Sequence, residues 1–516
     1  MWRPEVDRPQ WLTISLTWVF MGGLMLKRLF VVLWGISAVI CQAETVSPDW
    51  DAQRIRNARP ASAEAIEFSY QKEIRFKDGT VETENGKVTL ASDFTYTEAA
   101  DARHLDDFSL CRTMSWKASG TEFNNDSCFV SPAFRILELK NRRYLQSLLD
   151  AATGDKKSAQ EAKLASYWPE QELAVMDKTS LPLTRKRAAD KTVWSVGNEE
   201  VATVSLGGQP FSDAERKAVA RYFARHTGLH PQILKSVLES GQIPREMVME
   251  SHHANRRATE TIRFSNVRRL TAQYPLPANL KPAIVRMSQG NTIYASGLKS
   301  SLKAVAGNAE PPKPGFDDAL AQMQSAAAAD QMEQALMWFF LITQQYTAEL
   351  QPGSAGLAKI RALGPVLTKT IDGPKTGPFW QASNLAGSTE VSEGREAAAK
   401  YLAGAKHYDS LTFGTFRYVT FANLVLTSKD TDKWDKAIWA SMPSLTDCYW
   451  THIAAYPFAS NAFKDLGDHY YGQYEMDKAW QAWDLGRAID PDWTSGAMVS
   501  VGQYETQLRE VAPNDF

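Results

Sequence analysis

Long apolar runs are scarce in this 516-residue chain. The clearest one, Leu29 to Ile40, is too short to span a bilayer, which takes roughly 20 consecutive apolar residues. A multi-span membrane protein is therefore excluded. Cysteine is scarce as well, four residues in all, so the chain is no disulfide-dense scaffold. Neither sign of charge dominates: 57 Lys and Arg face 59 Asp and Glu, a formal net charge of −2. No global positive field draws a phosphate backbone, and nothing in the composition points to a nucleic-acid partner. Hydrophobic residues at 44% and charged residues at 22% are ordinary globular usage, which sets aside disordered and collagen-like chains. The length allows about three domains or two large ones.

Catalytic signatures are missing too. There is no Gly-x-Ser-x-Gly elbow, no Gly-x-x-x-x-Gly-Lys phosphate loop and no Gly-x-Gly-x-x-Gly after a strand. His226-Thr227-Gly228-Leu229-His230 spaces two histidines at i, i+4, but Gly228 ends the helix between them and no Glu follows His226 as a zinc hydrolase needs. They read as surface histidines, and no cofactor or metal is expected. His252 and His253 read as part of a polar loop. Cys448, beside Tyr449 and Trp450, reads as a buried, inert thiol.

What is present begins with an address. Lys27-Arg28, the apolar run Leu29–Ile40 and the small residues Cys41 and Ala43 form the n-region, h-region and cleavage site of a signal peptide. Cleavage after Ala43 starts the mature chain at Glu44, and residues 1–24 are then an upstream extension. The alternative is an uncleaved membrane anchor, since Trp11 to Met25 adds a second apolar stretch. A lipoprotein is disfavoured by bulky Ile40 before Cys41. The expectation is an exported, periplasmic protein.

Export into an oxidising compartment leaves Cys111, Cys128 and Cys448, hence at most one bridge. Phe108, Leu110, Met114 and Trp116 alternate as a strand, and Phe123 and Phe129 continue beyond Ser119-Gly120. A two-residue turn at Ser119-Gly120 sets Cys111 opposite Cys128 in a non-hydrogen-bonded pair, close enough to bridge. The alternative is two buried free thiols, with the turn moved to Asn124-Asn125-Asp126. Further strands are expected over Ala65–Phe76, ending at Asp78-Gly79, and after an Asn85-Gly86 turn. Thr192–Val196, Val201–Leu206 and Glu260–Leu270 add to the sheet, the last of them closing it. Helices interrupt it at Asn141–Ala165, at Ala214–Arg225 behind the capping-box pattern Ser212-Asp213-Ala214-Glu215, and from Pro231 to Ser240. The fold class is α+β: a strand-rich antiparallel domain over 44–310, a proline-rich linker over 311–315 and an all-α domain over 316–516. An open half-barrel holding lipid or a lipoprotein acyl chain is the architectural comparison for the first domain.

In the second domain, helices are expected at Phe316–Ala329, Gln331–Tyr346 and Val391–His407. From Asn461 to Pro491 the residues fall into a pattern: Phe463, Leu466-Gly467 and Tyr470, then Ala479, Trp483, Gly486 and Pro491 at matching intervals. This segment resembles a tetratricopeptide repeat. The small residues let two helices approach while the aromatics fill between neighbouring hairpins. Pro457 precedes Pro491 by the repeat period of about 34 residues, but Lys429 and Asp432 stand where that earlier window needs large apolar residues. The resemblance covers about one repeat, 459–492, stacked on degenerate helical pairs, with Trp493–Val511 as a capping helix. It implies a concave groove for a protein or peptide partner, with Lys464, Asp468 and Tyr471 facing outward as binding residues. Trp434, Trp439, Trp450, Trp480, Trp483 and Trp493 crowd this part, most of them as core. The expected function is a periplasmic protein-binding adaptor. The alternatives are lipid or lipoprotein binding by the first domain, and an envelope hydrolase with its site near His252 and His253.

Overall fold

The structure is a computed structural model that describes residues 51–154, 156–158, 183–253, 256–283, 292–329, 332–372, 445–491 and 496–516. The segment 1–43 expected to hold the signal peptide, the helix expected at Val391–His407, and Trp434, Trp439 and Trp493 lie outside these residues. No helix among the described residues is long and apolar enough to cross a membrane.

The chain is α+β. It forms two compact units, one over 48–283 together with 503–516, the other centred on 284–502. The change of unit thus falls at Ala283, upstream of the proline run, and the last residues of the chain return to the first unit.

The first unit carries strands β1 (Ser62–Phe76), β2 (Val81–Ala91), β3 (Phe94–Ala99), β4 (Ala102–Asp107), β5 (Arg112–Lys117), β6 (Glu122–Ser127), β7 (Leu183–Ala188), β8 (Lys191–Val196), β9 (Glu199–Ser205), β10 (Glu246–His253), β11 (Arg256–Gln273) and β12 (Lys281–Pro282). They form one sheet in the order β12-β6-β5-β4-β3-β2-β1-β11-β10-β9-β8-β7, antiparallel except for the β12–β6 pair. Strand β11 does not close the sheet as expected. It pairs with β1 and β10 in the middle of it. Among the described residues, helices α1 (Ala52–Asn57), α2 (Val130–Ala151), α3 (Asp213–His226) and α4 (Pro231–Ser240) accompany the strands.

Alternation sorts the strand side chains to two faces. On one, Ile66, Phe68, Val88, Leu90, Met247, Ile262 and Phe264 pack against Val219, Tyr222 and Phe223 of α3 and Ile233, Leu234 and Val237 of α4. Phe68 meets Tyr222 and Phe264 edge to face, at 5.4 and 5.6 Å. On the other, Phe94, Leu105, Met114, Trp116 and Phe123 cluster with Ala52 and Ile55 of α1 and with Tyr274 and Leu276. Helices therefore occupy the apolar face on which the half-barrel comparison needs an open groove.

Helix α3 starts where the sequence places it. Ser212 is its N-cap, and Ser212 and Glu215 exchange side-chain and backbone bonds in a complete capping box. Asn85-Gly86, read as a turn, lies instead inside β2, opposite Tyr70 and Ala99. A Cβ at Gly86 would stand 2.4 Å from the Tyr70 ring. The glycine admits the neighbouring aromatic rather than turning the chain. Helix α2 begins at Val130, well before the expected Asn141, with Pro132 tolerated in its first turn. His252 and His253 end β10, opposite Arg257 and Arg256, instead of lying in a loop.

The Cys111–Cys128 bridge forms, with Cα atoms 5.0 Å apart. The expected register holds from Trp116↔Phe123 to Arg112↔Ser127, but its hydrogen-bond phase does not. The turn is a longer connection, with Gly120 N–H donating to the Lys117 carbonyl, and Cys128 N–H donates to the Cys111 carbonyl at 3.0 Å. The cysteines thus share a ladder bond where a non-hydrogen-bonded pair was expected. Phe108 and Leu110 belong to the β4–β5 turn, not to a strand.

The second unit is helical: α5 (Thr292–Val305), α6 (Phe316–Ala328), α7 (Met332–Gln345), α8 (Ala355–Asp372), α9 (Leu445–Ala455), α10 (Ser460–Gly472) and α11 (Met476–Ile489). Helix α12 (Gly496–Val511) and a short 3₁₀ turn, Pro513–Asp515, end the chain. Helix α5 precedes the proline run yet belongs to this unit, where a Cβ on its Gly297 would strike Trp450 of α9. Helices α10 and α11 form a hairpin. Phe463, Leu466, Tyr470, Ala479 and Trp483 are all buried in it, as are Gly467 and Gly486. Trp483 lies across Gly467, where a Cβ would stand 2.2 Å from the indole nitrogen, and Trp483 Nε1–H donates to the Lys464 carbonyl at 3.2 Å. Trp450 and Trp480 are fully buried, and Pro491 follows the hairpin in an exposed turn.

Candidate functional site: a histidine–carboxylate cleft

The three residues expected to face a groove are inside the helical unit. Lys464 is 2% exposed, and its ammonium is paired with Asp468 one turn along α10. Tyr471 is buried against Trp480 and Trp483, ring centroids 6.3 and 6.0 Å away. The physical reason is visible in the burial of α10 and α11, whose residues are covered on nearly every side. Lys464 and Asp468 pair with one another, which offsets the cost of burying either charge.

A different set of residues converges in the sheet unit. Strand β4 sends His104 and Asp106, two positions apart, to the same face. Helix α3 ends above that face. Thr227 caps it and Gly228 takes the left-handed conformation at φ +61°, which leaves Arg225 and His226 in its last turn, where cations suit the helix dipole.

Asp106 is 1% exposed. Its Oδ2 lies 2.8 Å from His226 Nε2 and 3.5 Å from His104 Nε2. Its Oδ1 accepts from the Thr113 hydroxyl at 2.7 Å and from Arg225 at 3.1 Å. The same guanidinium donates to Thr113 Oγ1 at 3.0 Å and to the carbonyls of Cys128 and Asp515, each at 3.2 Å. One buried arginine thus ties the carboxylate to the disulfide hairpin and to the C-terminal residues. Burial opposes ionisation of Asp106, but Arg225 and the two imidazoles outweigh it and hold the carboxyl well below its usual range. Burial also pushes the His226 imidazole down against the pull of Asp106, so it is neutral at neutral pH. The two imidazole rings meet edge to face at 5.2 Å, and Tyr222 stacks on His226 at 5.2 Å.

His104 and His226 line a cleft of about 200 Å³ together with Tyr70, Lys72, Glu84, Thr97 and Tyr222. The Tyr70 hydroxyl donates to Glu84, and burial together with that carboxylate pushes the phenol far above its ordinary range. Lys72 pairs with Glu260 at 2.8 Å. Thr97 stands opposite His104 across the β3–β4 ladder, and its hydroxyl oxygen is buried without a hydrogen-bond partner. The next carboxylate, Asp107, faces away from the cleft. It accepts from Tyr274 at 2.7 Å and pairs with Arg59 at 2.8 Å, a bracing role.

Neither His226 nor His230 is the surface histidine expected from the sequence. His226 is not a free surface residue, being 20% exposed and bonded to Asp106. His230 is buried and caps α4, its Nδ1 accepting from Gln232 N–H at 3.1 Å. The sequence reading missed His104 and Asp106 because it did not recognise β4 as a strand. Once β4 is recognised, the His-x-Asp spacing is the signal that places both groups on one face. No protein-family model matches the chain, and no curated protein matches its sequence.

Proposed function

We propose that this chain is an exported two-unit protein whose sheet unit binds a small polar ligand in the cleft beside His226 and Asp106. The observation that carries the reading is convergence: two imidazoles and a threonine with an unpartnered hydroxyl line one cleft, and an ionised buried carboxylate stands behind the imidazoles. A buried hydroxyl without a partner costs about 1–3 kcal/mol, and a ligand group that the Thr97 side chain turns to meet recovers it. At about 200 Å³ the cleft is smaller than the roughly 300–1,000 Å³ of drug-sized sites, so the ligand is of single-sugar or amino-acid size. The His226–Asp106 couple is also suited to proton transfer, because a buried carboxylate fixes the imidazole's orientation.

The helical unit is read as a repeat-like scaffold, supported by the packing of Trp483 on Gly467. A protein-docking role loses Lys464, Asp468 and Tyr471 as contact residues, since all three are buried or internally paired. The acyl-chain reading loses support because α3 and α4 occupy the apolar face of the sheet.

The test is a thermal-shift screen of small polar metabolites on the chain from Glu44, run both with and without chelator, for wild type and Thr97→Val. A ligand at 100 times its Kd adds about 2.7 kcal/mol of stability. A compound that raises Tm in the wild type and much less in Thr97→Val supports the cleft. Equal shifts in both proteins, or no shift across sugars, amino acids and small acids, sink it.

A further inference from the structure

We infer that His104, Asp106 and His226 bind one divalent transition-metal ion at the edge of the cleft. This rests on the cleft being the working site and names the cofactor it takes.

The three donor atoms lie within 4.8 Å of one another, and Asp106 Oδ2 stands 2.8 and 3.5 Å from the two imidazole nitrogens. Two ligands each about 2.1 Å from a shared zinc-like ion stand roughly 3–3.4 Å apart; the observed separations bracket that spacing, and small side-chain shifts bring the donors to a common centre. His104, 37% exposed on its strand, has room to swing the remaining distance inward.

The surroundings fit as well. Metal sites orient their ligands through outer partners, and Asp106 has two on its other oxygen, Thr113 and Arg225. Two imidazoles and one carboxylate suit zinc, nickel, cobalt or iron, whereas calcium and magnesium prefer all-oxygen sets. Arg225 partly offsets the carboxylate charge, which further disfavours ions held by charge alone. Three protein ligands leave a coordination position open, and on the cleft side a small ligand's oxygen can fill it. The sequence reading expected no metal because it weighed His226 with His230, whereas the ligand partners come from β4.

The experiment uses the untagged, disulfide-intact chain from Glu44, stripped with chelator and titrated with Co2+, read by visible absorption and by calorimetry. One equivalent is expected to bind with the visible bands of a histidine-ligated ion. Loss of an outer partner alone weakens metal sites by about 10–100-fold, so His104→Ala is expected to weaken binding by at least about 100-fold. His104 is the most exposed of the three ligands, so this variant keeps the fold, which an unchanged circular dichroism spectrum verifies. His226→Gln is expected to match it. Absence of Co2+ binding, or a His104→Ala titration like wild type, overturns the inference. The titration needs no organic ligand and the chelator arm of the metabolite screen is metal-free, so failure of one is told apart from failure of the other.

Discussion

His226 Nε2 and Asp106 Oδ2 stand 2.8 Å apart although 120 residues separate them in the chain. The pair joins the end of α3 to the inner side of β4, and Arg225 secures the carboxylate from the other oxygen. Asp106→Asn removes the charge but keeps the shape. The Arg225 guanidinium, 5% exposed, is then left without its anion, and losing one partner of a buried pair costs about 3–5 kcal/mol. Urea unfolding of the sheet unit is expected to show a loss of that order. A loss below about 1 kcal/mol would mean the pair is held no better than a surface bridge.

His452 on α9 makes the helical unit acid-sensitive. It is 5% exposed, and burial pushes its pKa down to about 3. Because the folded value lies below the unfolded value of about 6.5, the unfolded chain takes up the proton first. The stabilisation is complete above pH ~6.5 and is lost progressively as the pH falls toward the folded value. At pH 5 the loss amounts to about 2 kcal/mol. His452→Phe, which keeps an aromatic ring beside Tyr456, is expected to flatten the Tm-against-pH curve between pH 7 and 5. An equally steep curve in the variant would assign the sensitivity to another group.

Glycine in the α10–α11 hairpin separates packing from propensity. A Cβ at Gly467 would lie 2.2 Å from Trp483 Nε1, whereas at Gly472, on the same helix, nothing stands within 4 Å. Gly467→Ala forces the indole or the helix aside, and overpacking of this kind costs about 1–3 kcal/mol. Gly472→Ala should instead be neutral or stabilise by up to about 1 kcal/mol, the helix-propensity gain. Opposite signs in denaturant unfolding are the expected outcome. A neutral Gly467→Ala would show that the hairpin does not hold Trp483 against this position.

Local rules made much of the framework legible. The capping box at Ser212 and Glu215, the proline start of α4 at Pro231 and the small and aromatic spacing of the last hairpin all act within a few residues, so they are written in the sequence itself. The Cys111–Cys128 pairing was also readable, because a hairpin's register follows from its turn centre. Its hydrogen-bond phase was not, since that depends on the turn's length as well as its centre. Gly86 shows a similar limit. Asn-Gly is a turn signal only when no neighbour competes for the space, and here Tyr70 from the adjacent strand takes it.

The sequence alone determined an α+β chain with a strand-rich first part, a helical second part and one bridged hairpin, because periodicity, capping and turn spacing are short-range properties. Tertiary structure decided everything about the site. Lys464, Asp468 and Tyr471 share a helix with buried aromatics, and only packing shows that Lys464 and Tyr471 are buried and that Asp468 is taken up by Lys464. His104, Asp106 and His226 come from a strand and a helix far apart in the chain. They become one site because α3 covers the apolar face of the sheet and ends where β4 presents its histidine and carboxylate.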